Sequence, residues 1–223
     1  MLKITKNPTY LHIFAKKKLF HYNYLHMTIS EIYPKQFLQR SHKEALLKQK
    51  AKVIWFLGLS GAGKSELAFL LEKALYDKGF LTQVLDGDNL RSGLNNNLGF
   101  SEADRKENIR RAAEVAKILM NCGVIVIASF ISPTNEIQKL VRDIVGEDFV
   151  EIFLDCPLEI CEQRDVKGLY AKARAGIIKN FTGIDSPFEK PICPDLVLQT
   201  HLQSKEECLK QVLELVLPKI AYP

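Results

Sequence analysis

The 223-residue chain has no apolar run approaching the roughly 18 residues a helix needs to cross a bilayer, so no membrane-spanning helix and no membrane partner are expected. Its five cysteines, Cys122, Cys156, Cys161, Cys193 and Cys208, form no C-x-x-C pair and have no histidine at metal-ligand spacing. They read as reduced, mostly buried thiols, which fits a cytoplasmic protein. Acidic residues are missing from residues 1–26, where Lys3, Lys6, Lys16, Lys17 and Lys18 stand. Taking those five from the 31 basic residues leaves 26 against 26 acidic ones, so the net charge of +5 belongs to that segment and the rest is formally neutral. A nucleic-acid partner would need positive charge on the folded body, and none is indicated. Residues 1–26 also lack any helical or alternating period, the Arg- and Ser-rich character of a transit peptide and the apolar core of a signal sequence. A disordered or non-native extension is expected there, with translation starting naturally at Met27; an intact Met1 in the mass of the natural protein would refute that start. Residues 27–223 contain no internal repeat or low-complexity linker over 50–223, and read as a single domain with its core at about 50–217.

What is present begins with Gly58-Leu59-Ser60-Gly61-Ala62-Gly63-Lys64-Ser65, directly after the apolar run Val53-Ile54-Trp55-Phe56-Leu57. This is a complete G-x-x-x-x-G-K-S phosphate loop between a strand pattern and a helix pattern. Glycines let successive N–H groups turn inward around a polyphosphate, Lys64 adds a mobile positive charge, and the Ser65 hydroxyl can ligate Mg²⁺. The loop implies a nucleoside triphosphate and leaves the acceptor open.

Strand-like and helix-like segments then alternate, the pattern of a parallel sheet with helices on both faces, an α/β fold of the P-loop NTPase type. Strands are expected at Val53–Leu57, Gln83–Asp86, Val124–Ala128, Phe149–Leu154 and Asp195–Leu198. Helices are expected over Lys64–Lys78, stopped by Gly79, from the Ser101/Asp104 cap to Gly123, and over Lys205–Leu217. Ligands in such sheets gather at the carboxyl ends of the strands.

At the end of the second strand stands Asp86-Gly87-Asp88-Asn89-Leu90-Arg91. One carboxylate there can orient Mg²⁺ while the other takes a proton from an attacking hydroxyl, and spacing alone does not assign the two roles. An ordinary Asp-Gly turn is the bland alternative. Arg105 and Asn108 fall three apart on the first turns of the long helix, where a guanidinium and an amide can hold an anionic, hydroxyl-bearing substrate. Arg164, Lys167, Lys172, Arg174 and Lys179 form a second basic group, which on a helix would otherwise be a solvated face.

The phosphate loop, Asp86-Gly87-Asp88-Asn89, Gly99-Phe100-Ser101, Arg105, Glu107-Asn108-Ile109-Arg110-Arg111, Ile131-Ser132-Pro133, Arg164-Asp165-Val166-Lys167-Gly168-Leu169-Tyr170, Lys172-Ala173-Arg174 and Phe181-Thr182-Gly183-Ile184-Asp185 stand in an order that resembles the adenylyl-sulfate kinases. The resemblance implies transfer of the γ-phosphate of MgATP to the 3′-hydroxyl of adenosine 5′-phosphosulfate, giving 3′-phosphoadenylyl sulfate and ADP. It further implies a place in sulfate activation beside an ATP sulfurylase, and commonly a homodimer.

Carried over by position, Gly58 to Ser65 bind the ATP phosphates, Arg164 and Lys167 belong to a lid that reaches the nucleotides, Ser65 and Asp86 serve the metal, and Lys64 offsets charge on the transferred group. Asp88 positions and deprotonates the 3′-hydroxyl; Arg91, Arg105 and Asn108 hold the phosphosulfate and ribose; Phe100 and Phe181 sandwich the adenine. Ser132 corresponds to a serine described in the family as a phosphoserine intermediate. Direct in-line transfer needs only positioning and electrostatics, so a hydrogen-bonding role for Ser132 stands beside the covalent one. There are two departures from the pattern: Glu66, where the family usually has Thr, puts a carboxylate near phosphate, and the segment Thr134-Asn135-Glu136-Ile137-Gln138 lacks the aromatic and basic residues frequent in relatives. Other readings are a P-loop kinase for another small hydroxylated metabolite, a nucleotide-binding protein without turnover, and a GTPase-like switch, against which no Asn-Lys-x-Asp string occurs.

Overall fold

The structure is a computed structural model that describes residues 38–223; the expectations for residues 1–26 and for Met27 lie outside them. Residues Arg40–Pro223 form one compact unit. Its elements are α1 (Arg40–Leu47), β1 (Val53–Leu57), α2 (Lys64–Tyr76), β2 (Thr82–Asp86), α3 (Gly87–Ser92), α4 (Glu102–Asn121), β3 (Ile125–Phe130), α5 (Asn135–Val145), β4 (Phe149–Leu154), α6 (Leu158–Arg164), α7 (Leu169–Arg174), β5 (Leu196–Leu198) and α8 (Lys205–Ile220).

The five strands are parallel in the order β2-β3-β1-β4-β5. Every residue of β1, β3 and β4 is buried, because helices cover both faces and both sides of the pleat must be apolar. Successive side chains leave a strand on opposite faces. Ile54 and Phe56 of β1 accordingly join a core with Leu67, Leu71 and Leu75 of α2 and Val212, Val216 and Ile220 of α8. Val53, Trp55 and Leu57 join a second core with Ala112, Ala113 and Ala116 of α4 and Val141 and Val145 of α5. The small residues of α4 let that helix lie close on Trp55, which stacks on Phe130 at 4.8 Å.

The strands at 53–57 and 149–154 are those the sequence indicates, and β2 and β5 differ by one residue at their starts. β3 runs on to Phe130 because Ser129 and Phe130 keep ladder partners in Asp86 and Leu57. α2 ends at Tyr76, and the next turn closes with Gly79 at φ 86° and Phe80 N–H on the Leu75 carbonyl. α8 passes through Pro218 and ends at Ile220, whose fully buried side chain and carbonyl, accepting from Lys50 N–H at 2.7 Å, hold the last turn. The basic segment 164–179 is broken: Arg164 closes α6, residues 165–168 turn, and α7 is a separate short helix.

Candidate active site

Between β1 and α2 the phosphate loop folds as its glycines require. Gly58 has φ 149°, and a Cβ there would lie 2.7 Å from the Leu154 carbonyl oxygen of β4; one on Gly61, at φ 78°, would lie 2.9 Å from the Cys161 carbonyl oxygen of α6. Only a residue without a side chain lets the loop pass between these two elements. α2 then starts at Lys64, so its first N–H groups face the loop's hollow and favour an anion there. Lys64 is 9% exposed, its Nζ donates to the Leu59 carbonyl at 2.8 Å, and burial lowers its pKa from 10.5 to about 8. Ser65 Oγ donates to Asp86 Oδ2 at 2.7 Å and lies 3.2 Å from Ser129 Oγ. The ends of β2 and β3 and the start of α2 thus bring three oxygen-bearing side chains together.

Asp86 also caps α3, its Oδ1 accepting from Asp88 N–H at 3.0 Å. That cap turns the chain so that Asp88 stands at the mouth of a cavity of about 1080 Å³ shared with Lys64, Ser65, Arg91, Phe100 and Phe181. Asp88 is exposed and pairs with Lys167 of the 165–168 turn. That volume stands at the upper end of the range usual for ligand pockets.

The predicted residues beyond the phosphate loop line the same cavity, each with partners of its own, whereas Gly58, Leu59 and Ala62 of the loop are not part of its lining. The Arg91 guanidinium lies 4.4 Å from the Phe100 ring centroid and donates to the Gly99 carbonyl at 2.7 Å; burial lowers its pKa. Phe181 and Tyr170 meet in a T-shaped arrangement with ring centroids 4.9 Å apart. Arg105 bonds the Phe100 carbonyl, Thr182 Oγ1, the Asn180 carbonyl and Ser186 Oγ, so in this state it fastens the 180–186 loop to α4. Asn108 is buried, its Oδ1 accepting from Asn95 Nδ2 at 2.9 Å. Ser132 backs the cavity at φ 48° and 1% exposure, and its Oγ accepts from Trp55 Nε1 at 3.0 Å. Arg164 donates to the Gly61 carbonyl at 3.3 Å and the Thr200 carbonyl at 2.8 Å.

Sequence reasoning gave no role to Trp55, Asn95, Ser129, Tyr170, Thr200 or Lys205. Tyr170 stood inside a quoted string, and its hydroxyl donates to the Ser60 carbonyl at 2.8 Å, tying α7 to the phosphate loop. The Glu107-Asn108-Ile109-Arg110-Arg111 string proves largely internal: Glu107 accepts from both arginines, which hold its pKa down at about 2, and Arg111 reaches Asn97 Oδ1 at 2.9 Å. Glu66 is paired with Lys205 at the start of α8. In the 134–138 departure, Thr134 caps α5 and Gln138 Nε2 bonds the carbonyls of Ser132 and Glu189, so that segment braces the cavity wall.

A phosphate loop at the carboxyl end of a parallel sheet, opening on a cavity that also holds Asp88, Arg91, Phe100 and Phe181, defines a class, the P-loop kinases. The family model for adenylylsulphate kinase matches residues 50–199, and the chain belongs to that family. It is 56% identical over 195 residues to the adenylyl-sulfate kinase of Bacteroides fragilis, covering 86% of this chain and 96% of that one. The adenylyl-sulfate kinase of Clostridium acetobutylicum is 54% identical over 177 residues, with 79% and 88% covered. Among solved structures, the Mycobacterium tuberculosis APS kinase CysC in complex with AMPPNP and APS superposes with a TM-score of 0.71 at 52% identity, covering 75% of this chain and 98% of that one. The family's reaction moves the ATP γ-phosphate to the 3′-hydroxyl of adenosine 5′-phosphosulfate.

Proposed function

We propose that the cavity of about 1080 Å³ divides this transfer between two halves: the phosphate loop 58–65, whose Ser60, Gly61, Gly63, Lys64 and Ser65 line it, takes ATP with Arg164, and Asp88, Arg91, Phe100, Asn108 and Phe181 take adenosine 5′-phosphosulfate. The observation that carries the division is the step from Ser65 to Asp86 to Asp88, in which one strand end presents a carboxylate to the phosphate loop and, two residues on, a second to the acceptor side.

Ser65 and Asp86 would hold Mg²⁺, a fit supported by two hard oxygen donors 2.7 Å apart at the phosphate loop. The ion supplies charge neutralisation on the phosphate oxygens. Lys64 leaves the Leu59 carbonyl for the transferred group, offsetting the charge that builds there. Asp88 exchanges Lys167 for the 3′-hydroxyl, orients it in line and accepts its proton. Phe100 and Phe181 face the acceptor base, while Arg105 keeps Phe181 in place through its bonds to Asn180, Thr182 and Ser186. The positioning role of Ser132 is favoured over the covalent one, because its hydroxyl is buried and engaged by an indole N–H. The enzyme works in the cytoplasm as a homodimer, beside a sulfurylase that supplies its acceptor.

The deciding assay is ADP release by the purified protein with adenylyl sulfate, with other hydroxyl acceptors and with none. Release confined to adenylyl sulfate is expected, and equal rates in all three would overturn the assignment. Light scattering of the same preparation tests the dimer.

A further inference from the structure

Glu66 places a carboxylate in the first turn of α2, two residues after the loop lysine. That suits the helix dipole and opposes a polyphosphate held at the same helix end. Glu66 and Lys205 both line the large cavity, and the two are ion-paired although each is more than half exposed. Lys205 is the first residue of α8, where a cation works against that helix's own dipole, so its place there is not explained by helix stability. Its position is nonetheless fixed. A reciprocal bond pair between Ser204 and Glu207 caps α8, and the preceding loop is tied to the phosphate loop by Thr200 Oγ1 donating to the Ala62 carbonyl at 2.9 Å. Arg164 closes the same strap through the Thr200 and Gly61 carbonyls. The capped helix start therefore delivers an ammonium group to the Glu66 carboxylate beside the phosphate loop.

We propose that Lys205 is a positioning residue for the donor nucleotide: by pairing with Glu66 it neutralises that carboxylate and keeps it turned away from the phosphates. The proposal rests on the reading of residues 58–65 as the donor site. An unpaired Glu66 repels the incoming triphosphate equally before and during transfer, so the loss falls on binding and not on turnover.

The experiment measures AMPPNP affinity by calorimetry, and KM for MgATP and kcat with adenylyl sulfate, on the full chain. For Lys205→Met, the dissociation constant and KM are expected to rise about three- to tenfold at low salt and less in concentrated salt, with kcat unchanged. Lys205→Arg should behave as the unaltered protein, and Lys205→Met combined with Glu66→Gln should recover its affinity. An unchanged affinity, a fall confined to kcat, or no recovery in the double variant would overturn the inference. Failure of the unaltered protein to bind AMPPNP would instead overturn the donor-site reading on which it stands.

Discussion

Lys64 is stored in its site at a cost. Its ammonium group is buried against a single carbonyl, and burial takes its pKa from 10.5 to about 8. Holding the cation folded at neutral pH therefore opposes folding by about 3 kcal/mol. Between pH 8 and 10.5 the unfolded chain keeps a proton that the folded site has released, so stability rises with pH across that window and the penalty is gone above it. Lys64→Met should then be more stable than the parent at pH 7, by about 1 to 3 kcal/mol after the lost carbonyl bond is counted, should lack the rise above pH 8, and should lose activity about 100-fold or more. Urea melts at pH 7 and pH 10 check the first two; a variant no more stable than the parent at pH 7 refutes the burial argument. Ser132 makes the opposite case, a hydroxyl already employed. Ser132→Ala strips the Trp55 indole N–H of its acceptor inside the core and should cost about 1 to 3 kcal/mol. The parent incubated with γ-labelled ATP should carry no phosphate on Ser132; label appearing within a single turnover would restore the covalent role.

At the scale of elements, legibility followed the range of the interactions. β1 and β4 could be read to the residue because burial on both faces leaves an unbroken apolar run. The start of α4 was legible because its cap is local, Ser101 Oγ accepting from Asp104 N–H three residues on. The segment 164–186 was not, since its shape comes from distant partners: Tyr170 on Ser60, Arg105 on the 180–186 loop, Lys167 on Asp88. Glu66 looked anomalous for the same reason, its counter-charge standing 139 positions away. One local device does shape this segment. Asp165 accepts from the N–H groups of Tyr170 and Ala171 at 3.0 Å each, so a carboxylate four residues before α7 closes that helix's open end. Asp165→Ala should fray α7, accelerate hydrogen exchange over residues 169–174 and raise KM for both substrates, with the exchange of β1 unchanged. Unaltered exchange at 169–174 would show that Tyr170 alone holds the helix.

For the whole molecule, the same segment touches both halves of the proposed site. Arg164 and Tyr170 hold the phosphate loop through the Gly61 and Ser60 carbonyls, while Lys167 holds Asp88 and the 180–186 loop is held by Arg105 on the acceptor side. A donor that draws Lys64 and Arg164 toward its phosphates shifts residues whose neighbours form the acceptor pocket. Binding at one half is then predicted to alter affinity at the other, and linkage requires the factor to be the same in both directions. Such couplings are commonly about 5- to 150-fold. Calorimetric titration of adenylyl sulfate with and without saturating AMPPNP, and of AMPPNP with and without saturating adenylyl sulfate, should return one common factor different from unity. Tyr170→Phe, which removes the hydroxyl on Ser60 and keeps the ring against Phe181, should bring that factor closer to unity while both pockets still fill. Affinities independent of the second ligand in the parent protein would mean that this segment does not link the two halves.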